Sequence, residues 1–141
     1  MAMGERSPVA IMNPAAASRL ALGEALTNLS AAAVGPLDSV KLSANWMAAC
    51  GEPGQDAALF DAVSALAKEI CPALTLSIPV GKDSLSMRTV WEEAGTTASV
   101  ISPVSLNLTA VATVSDVRRT WTPELRHCLL YTSDAADEED S

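Results

Sequence analysis

The 141-residue chain has three cysteines, a single histidine and only 4% aromatic residues. Cys50, Cys71 and Cys128 are spaced too widely for a zinc-binding motif, and their odd number argues against a disulfide framework. His127 alone cannot supply a histidine-based catalytic triad within the chain. We therefore expect Cys50 and Cys71 to be free thiols that pack as small apolar side chains.

The chain also lacks an excess of basic residues, a long apolar run and, at its N-terminus, the charged-then-apolar pattern of a signal peptide. Nine Lys and Arg stand against 17 Asp and Glu, which gives a net charge of −8 and leaves no basic surface for a nucleic-acid backbone. No apolar run approaches the length of a membrane span. The length suits one domain that buries its own core. We expect a cytoplasmic domain without a nucleic-acid or membrane partner.

Acidic residues are concentrated at the end of the chain. Residues 128–141 contain five acidic residues and no basic one, so the net charge of −8 becomes −3 without them. The string from Cys128 to Glu138 also resembles one reading frame of a transposase-type sequencing adapter. We interpret 1–127 as a partial natural domain and 128–141 as a non-native tail that is a translated adapter; the alternative is an ordinary solvated acidic tail.

Hydrophobic periodicity predicts two helices and several strands. Asn13 and Pro14 are typical N-cap and first-turn residues for a helix over about 14–33, and a second helix is expected over about 56–70. Period-two alternation and turn residues predict strands near 39–43, 74–80, 85–91 and 99–113, a turn at 93–95, and a short helix after Ser115. This order predicts an α+β (mixed α/β) fold in which a sheet packs against helices.

Glu24 and Asn28 lie four residues apart on the first predicted helix, so their oxygens can converge on one point. Mg²⁺ prefers oxygen ligands of this kind, with phosphates completing its coordination shell. The spacing alone favours the alternative, an exposed polar pair.

A second candidate site is the string Gly81-Lys82-Asp83-Ser84, which we predict to be a turn directly after a strand. Glycine permits close backbone approach, lysine offers a charge to a phosphate, and serine offers a hydroxyl group. The string does not match a P-loop, and a purely structural turn is the alternative. Asn45, near the end of another predicted strand, could line the same edge, whereas Trp46 is expected to be a core aromatic.

Four strings carry a resemblance to a known family: 4–8 (GERSP), 19–28 (RLALGEALTN), 41–48 (KLSANWMA), and 71–74 with 78–87 (CPAL and IPVGKDSLSM). In this order and spacing they closely resemble the large phosphoribosylformylglycinamidine synthase family. That family uses ATP and glutamine to convert formylglycinamide ribonucleotide to formylglycinamidine ribonucleotide in purine biosynthesis. The resemblance implies a fragment of the second aminoimidazole-ribonucleotide-synthetase-like half of its synthetase portion.

The resemblance also implies roles for particular residues. Glu24 and Asn28 match positions that ligate Mg²⁺ beside a bound nucleotide (ATP or ADP). Gly81 and Ser84 match a turn that contacts nucleotide and substrate, and Lys82 stands where smaller relatives have an asparagine ligand.

The family's catalytic histidine, glycine-rich loop and glutaminase domain lie outside the fragment, so the rest of the polypeptide is an expected partner and activity alone is not expected. The alternatives are another ATP-binding synthetase of the aminoimidazole ribonucleotide synthetase superfamily, or a non-catalytic interaction domain of that fold.

Overall fold

A four-stranded sheet and the helix packed on it form the centre of the chain. The computed structural model describes residues 1–123, so His127, Cys128 and the proposed tail at 128–141 lie outside the described residues. The elements are β1 (Ala2–Glu5), α1 (Pro14–Leu29), β2 (Lys41–Met47), α2 (Gln55–Ser64), α3 (Cys71–Ala73), β3 (Ser77–Ser84), β4 (Arg88–Glu93), β5 (Thr96–Ile101) and β6 (Ser105–Val111). Short 3₁₀ helices cover Ser7–Ile11 and Leu37–Ser39, and a π-helical segment, Ala65–Ile70, joins α2 to α3.

The strand order of the main sheet is β1-β6-β2-β3. β6 is antiparallel to both β1 and β2, whereas β2 and β3 are parallel and are joined by the α2–α3 crossover. A separate two-stranded hairpin consists of β4 and β5. These layers confirm the predicted α+β fold with a sheet packed against helices.

The core lies between α1 and one face of the sheet. Because side chains alternate along a strand, every second residue of β2 and β6 faces the helices. The largest buried side chains are those of Leu22, Leu42, Leu66 and Leu108. Gly4 on β1 lies so close to α1 that a Cβ atom there would stand 1.9 Å from the Ala21 carbonyl oxygen. A glycine is therefore required where this strand crosses the helix.

Both predicted helices form, with different ends. Asn13 caps α1 by accepting a hydrogen bond from the Ala16 N–H at 2.9 Å. The helix ends at Leu29 instead of residue 33, because the carbonyls of Ala31 and Ala33 accept bonds from Trp121 and Ser115. The second helix extends beyond its predicted end through the π-helical segment and α3.

Three predictions of local structure need correction. The Gly81–Ser84 string is the end of β3 and not a turn, because each of its residues pairs with β2. The predicted strand at 99–113 is two strands of different sheets, with a break at residues 102–104. Residues 115–123 contain no helix, since the Asp116 carboxylate binds the backbone and guanidinium of Arg118 instead.

The expectations for the turn at 93–95, Trp46 and the two cysteines are confirmed, and the structure adds one strand, β1. The turn between β4 and β5 is made by Ala94 and Gly95, both with positive φ. Trp46 packs against the apolar core, and Cys50 and Cys71 are free thiols. β1 was not predicted, because four residues with little alternation give almost no strand signal.

Candidate functional site

The face of the sheet opposite α1 carries a row of polar side chains across all four strands. Glu5 pairs with Asn107, Asn107 with Asn45, and Asn45 with Lys82. Paired residues project from the same face of a sheet, with Cβ atoms roughly 5 Å apart. We call Glu5, Asn107, Asn45 and Lys82 the polar row. The structure therefore brings Asn45 and the Gly81–Ser84 string together, as expected.

Asn45 is the most informative member of the polar row. Its Oδ1 atom is buried and accepts no hydrogen bond within the described residues. A buried polar atom without a partner costs about 1–3 kcal/mol, so native proteins rarely leave one unless a water or a ligand completes it. The position of Asn45 thus suits a molecule with an N–H or O–H group.

Lys82 supplies the positive charge at the end of the row. Its ammonium group donates to the Ser84 hydroxyl at 2.8 Å and forms no salt bridge with a described carboxylate. The side chain is exposed on the outermost strand. A lysine held by a neutral hydroxyl keeps its charge available for an anion. The space around Gly81 is open: a Cβ atom added there would contact only the Ala44 carbonyl oxygen, at 3.9 Å.

Glu24 and Asn28 lie on α1 one turn apart and contact β1. Glu24 Oε2 accepts a hydrogen bond from the Glu5 N–H at 2.8 Å, and its Oε1 lies 3.1 Å from Arg6 Nη2. The Asn28 side-chain amide donates to the Met3 carbonyl at 3.0 Å. Both side chains therefore already bind β1 or the residue after it.

The oxygen chemistry of this pair nevertheless suits Mg²⁺. One carboxylate and one amide carbonyl are hard ligands, and Mg²⁺ commonly takes one or two protein carboxylates with phosphates and water. Asn28 uses its nitrogen on Met3, so its Oδ1 remains without a donor among residues 1–123. No cluster of three or more His, Cys, Asp or Glu occurs in the described part, so these residues alone do not complete a metal shell.

Sequence reasoning missed three contributors to this region. Asn107 belongs to a strand with no motif, and only strand register reveals that it lies beside Asn45. Glu5 and Arg6 lie in the string 4–8 that carries the resemblance, but no role was predicted for them; in the structure Glu5 is in β1 and Arg6 pairs with Glu24. Hydrogen bonds from the Ser7 side chain and then its backbone hold the pKa of Glu5 below its usual value, with a smaller effect of Arg6.

Two further features lie away from the polar row. Burial raises the pKa of both cysteine thiols, and at Cys50 a hydrogen bond to Asp56 adds to the effect. Such thiols are poor nucleophiles at neutral pH.

A groove of about 450 Å³ lies between residues 30–33 and 118–121. None of the helices in residues 1–123 is both long and apolar enough to cross a membrane.

The family comparison is specific: residues 1–113 match the model of the FGAR-AT PurM_N-like domain. The chain belongs to this family, the domain family of formylglycinamide ribonucleotide amidotransferase.

Solved structures from Thermotoga maritima have the same fold. PurL complexed with ATP is 17% identical to this chain, with a TM-score of 0.54. Phosphoribosylformylglycinamidine synthase II is 18% identical with a TM-score of 0.52, and PurLQS is 17% identical with a TM-score of 0.53. Each alignment covers 86% of this chain. The chain spans only 18–19% of the length of those proteins.

Proposed function

We propose that this chain is part of the synthetase portion of phosphoribosylformylglycinamidine synthase, an ATP-dependent ligase that takes nitrogen from glutamine. The proposed substrates are formylglycinamide ribonucleotide and ATP. Family membership supports this assignment, and the observation that carries it is the unpartnered Asn45 Oδ1 beside the charge of Lys82. In the alternative, a non-catalytic domain, a bound water would be the partner of this oxygen.

The proposed reaction activates an amide. ATP phosphorylates the amide oxygen of formylglycinamide ribonucleotide, and ammonia then displaces phosphate to give the amidine, ADP and phosphate. This chemistry depends on positioning and charge neutralisation more than on a protein nucleophile. Accordingly, the residues that we assign here bind and orient, and we place no general acid or base within residues 1–123.

We assign binding roles to four residues of the polar row and its neighbours. Lys82 pairs with a phosphate or carboxylate of the ligand, and Ser84 both holds Lys82 and offers its hydroxyl group. Asn45 accepts a hydrogen bond from an N–H or O–H group of the ligand, and Gly81 lets the ligand approach the backbone.

We assign Glu24 and Asn28 to a magnesium ion. Asn28 would contribute Oδ1, and Glu24 an oxygen now shared with the Glu5 N–H or Arg6. When bound, the ion would neutralise phosphate charge next to the nucleotide. The remaining ligands would come from phosphates, water and parts of the protein beyond this chain.

The partner is the remainder of the same cytoplasmic polypeptide. The polar row lies on the sheet face that α1 leaves uncovered, and β3 is an exposed edge strand. A pseudo-symmetric half and a glutaminase domain are the proposed surroundings, and the natural sequence is proposed to diverge from this one near residue 127. Amplification of the source locus tests that point: codons for Leu129 to Asp137 in frame would contradict it.

Lys82→Met in the complete polypeptide tests the binding role. The substitution keeps the length of the side chain but removes the charge, and we expect synthetase turnover to fall roughly tenfold to a hundredfold, as for one lost charge-assisted contact. Lys41→Met is the matched control, because Lys41 is an exposed lysine at the other end of the same sheet face.

Three measurements are needed on both variants: turnover, melting temperature and uncoupled glutaminase activity. We expect an unchanged melting temperature and glutaminase rate for both, with the loss of turnover confined to Lys82→Met. A sharp drop in melting temperature with normal turnover per folded molecule would make Lys82 a structural residue. Equal turnover of Lys82→Met and wild type would also reject the assignment.

A further inference from the structure

The Arg6 guanidinium lies on the carboxylate that we assign to the magnesium ion. Arg6 Nη2 is 3.1 Å from Glu24 Oε1, and Arg6 Nη1 donates to the Glu5 carbonyl at 3.1 Å. Within residues 1–123, Arg6 is the single basic group that forms a salt bridge with Glu24. Its two contacts hold a positive charge at the place where a cation would meet this oxygen.

This ion pair is partly exposed to water, which makes it easy to open. The Arg6 side chain is 49% exposed and that of Glu24 is 26% exposed. Pairs of this kind change an equilibrium constant by no more than about fivefold. A divalent cation with phosphate ligands can therefore compete successfully for the same oxygen.

Glu24 has a second, independent contact that stays in place during such an exchange. Its Oε2 accepts the Glu5 N–H at 2.8 Å, so the carboxylate remains anchored to β1 when Oε1 changes partner. The released guanidinium would keep a planar fork of donors that fits phosphate oxygens.

We propose that Arg6 is the resident counter-ion of Glu24 in the metal-free protein, and that a divalent cation binds by displacing it. This inference rests on the proposed magnesium site. It assigns Arg6 as a positioning residue that lowers the metal affinity of the empty site and holds the Glu24 carboxylate in place until metal and nucleotide arrive.

The test is Mn²⁺ binding to the complete polypeptide without nucleotide, measured by electron paramagnetic resonance. Mn²⁺ replaces Mg²⁺ at oxygen sites and is directly observable. Glu24→Gln defines which part of the binding depends on Glu24. Arg19→Gln is the matched control, because Arg19 is an α1 arginine that pairs with Glu69.

We expect Arg6→Gln to tighten the Glu24-dependent Mn²⁺ site by roughly twofold to fivefold, because its competitor is gone. Arg19→Gln should leave the affinity unchanged. Arg6→Lys, which retains the charge, should stay closer to wild type than Arg6→Gln does. Arg6→Met, which also removes the charge, serves if Arg6→Gln does not fold.

Two outcomes would overturn the inference in different ways. If Glu24→Gln removes Mn²⁺ binding while a folded charge-removing variant, Arg6→Gln or Arg6→Met, binds no more tightly than wild type, the metal site stands and Arg6 is not its competitor. If Glu24→Gln leaves Mn²⁺ binding unchanged, the proposed metal site and the role of Arg6 both fail.

Discussion

The two edges of the main sheet differ in how they are covered. At the β1 edge, α1 side chains bind the backbone: Glu24 accepts the Glu5 N–H and Asn28 donates to the Met3 carbonyl. At the β3 edge, six of the eight residues are exposed. β1 is a closed edge, whereas β3 is an open one.

This difference separates a strand that the helix of the domain protects from a strand that remains accessible. Unpaired strand edges invite association, and natural proteins cover them or place charges and prolines on them. β1 is covered, while β3 carries Pro79 and Lys82. In the proposed complete polypeptide, further chain would surround this open edge and Lys82 would face the proposed ligand.

Gly4→Ala should have the largest effect on the closed edge. An added Cβ would lie 1.9 Å from the Ala21 carbonyl oxygen and 2.6 Å from the Ala25 nitrogen, both backbone atoms that cannot move without shifting α1. We expect a loss of about 3 kcal/mol or more in the free energy of unfolding, measured by urea denaturation.

Gly23→Ala is the matched control for this prediction. Gly23 is an exposed position inside α1, and an added Cβ would meet nothing within 4 Å. Alanine should stabilise the helix there by about 0.5–1 kcal/mol. Equal effects of the two substitutions would show that β1 does not pack on α1 as described.

Asn28→Ala should have a moderate effect, because it removes one hydrogen bond to β1. The expected loss is about 0.5–1.5 kcal/mol in metal-free buffer. Hydrogen exchange of the β1 amides should rise in the variant. Unchanged exchange and stability would show that Asn28 does not hold this edge.

Gly81→Ala should have the smallest effect on stability, because the open edge has room for a methyl group. We expect the free energy of unfolding to stay within about 0.5 kcal/mol of wild type or to rise slightly. Affinity for the nucleotide or substrate should fall if the ligand approaches this backbone. A large loss of stability would show that β3 is packed more tightly than its exposure indicates.

The sequence predicted those parts of the fold that local chemistry determines. Asn13 and Pro14 marked the start of α1, and Ala94 and Gly95 lie in the predicted turn. The end of β3 could not be predicted, because Gly81 and Pro79 signal a break while pairing with β2 keeps the chain extended. Tertiary pairing decides such cases.

In the candidate site, likewise, local spacing could be predicted and tertiary pairing could not. The spacing of Glu24 and Asn28 placed them correctly on one helix, and Asn45 does lie beside Lys82. The roles of Asn107 and Arg6 could not be predicted, since their relation to the site depends on strand register and on the path of the chain after β1.

One measurement tests the central claim most directly: ADP formation by the complete polypeptide with ATP, Mg²⁺ and ammonia, with and without formylglycinamide ribonucleotide. Ammonia replaces the glutaminase step, so the synthetase portion is assayed alone. We predict ADP formation that requires formylglycinamide ribonucleotide and yields one formylglycinamidine ribonucleotide per ADP. ADP formation that is independent of this substrate, or its absence in a folded protein, would contradict the proposed function.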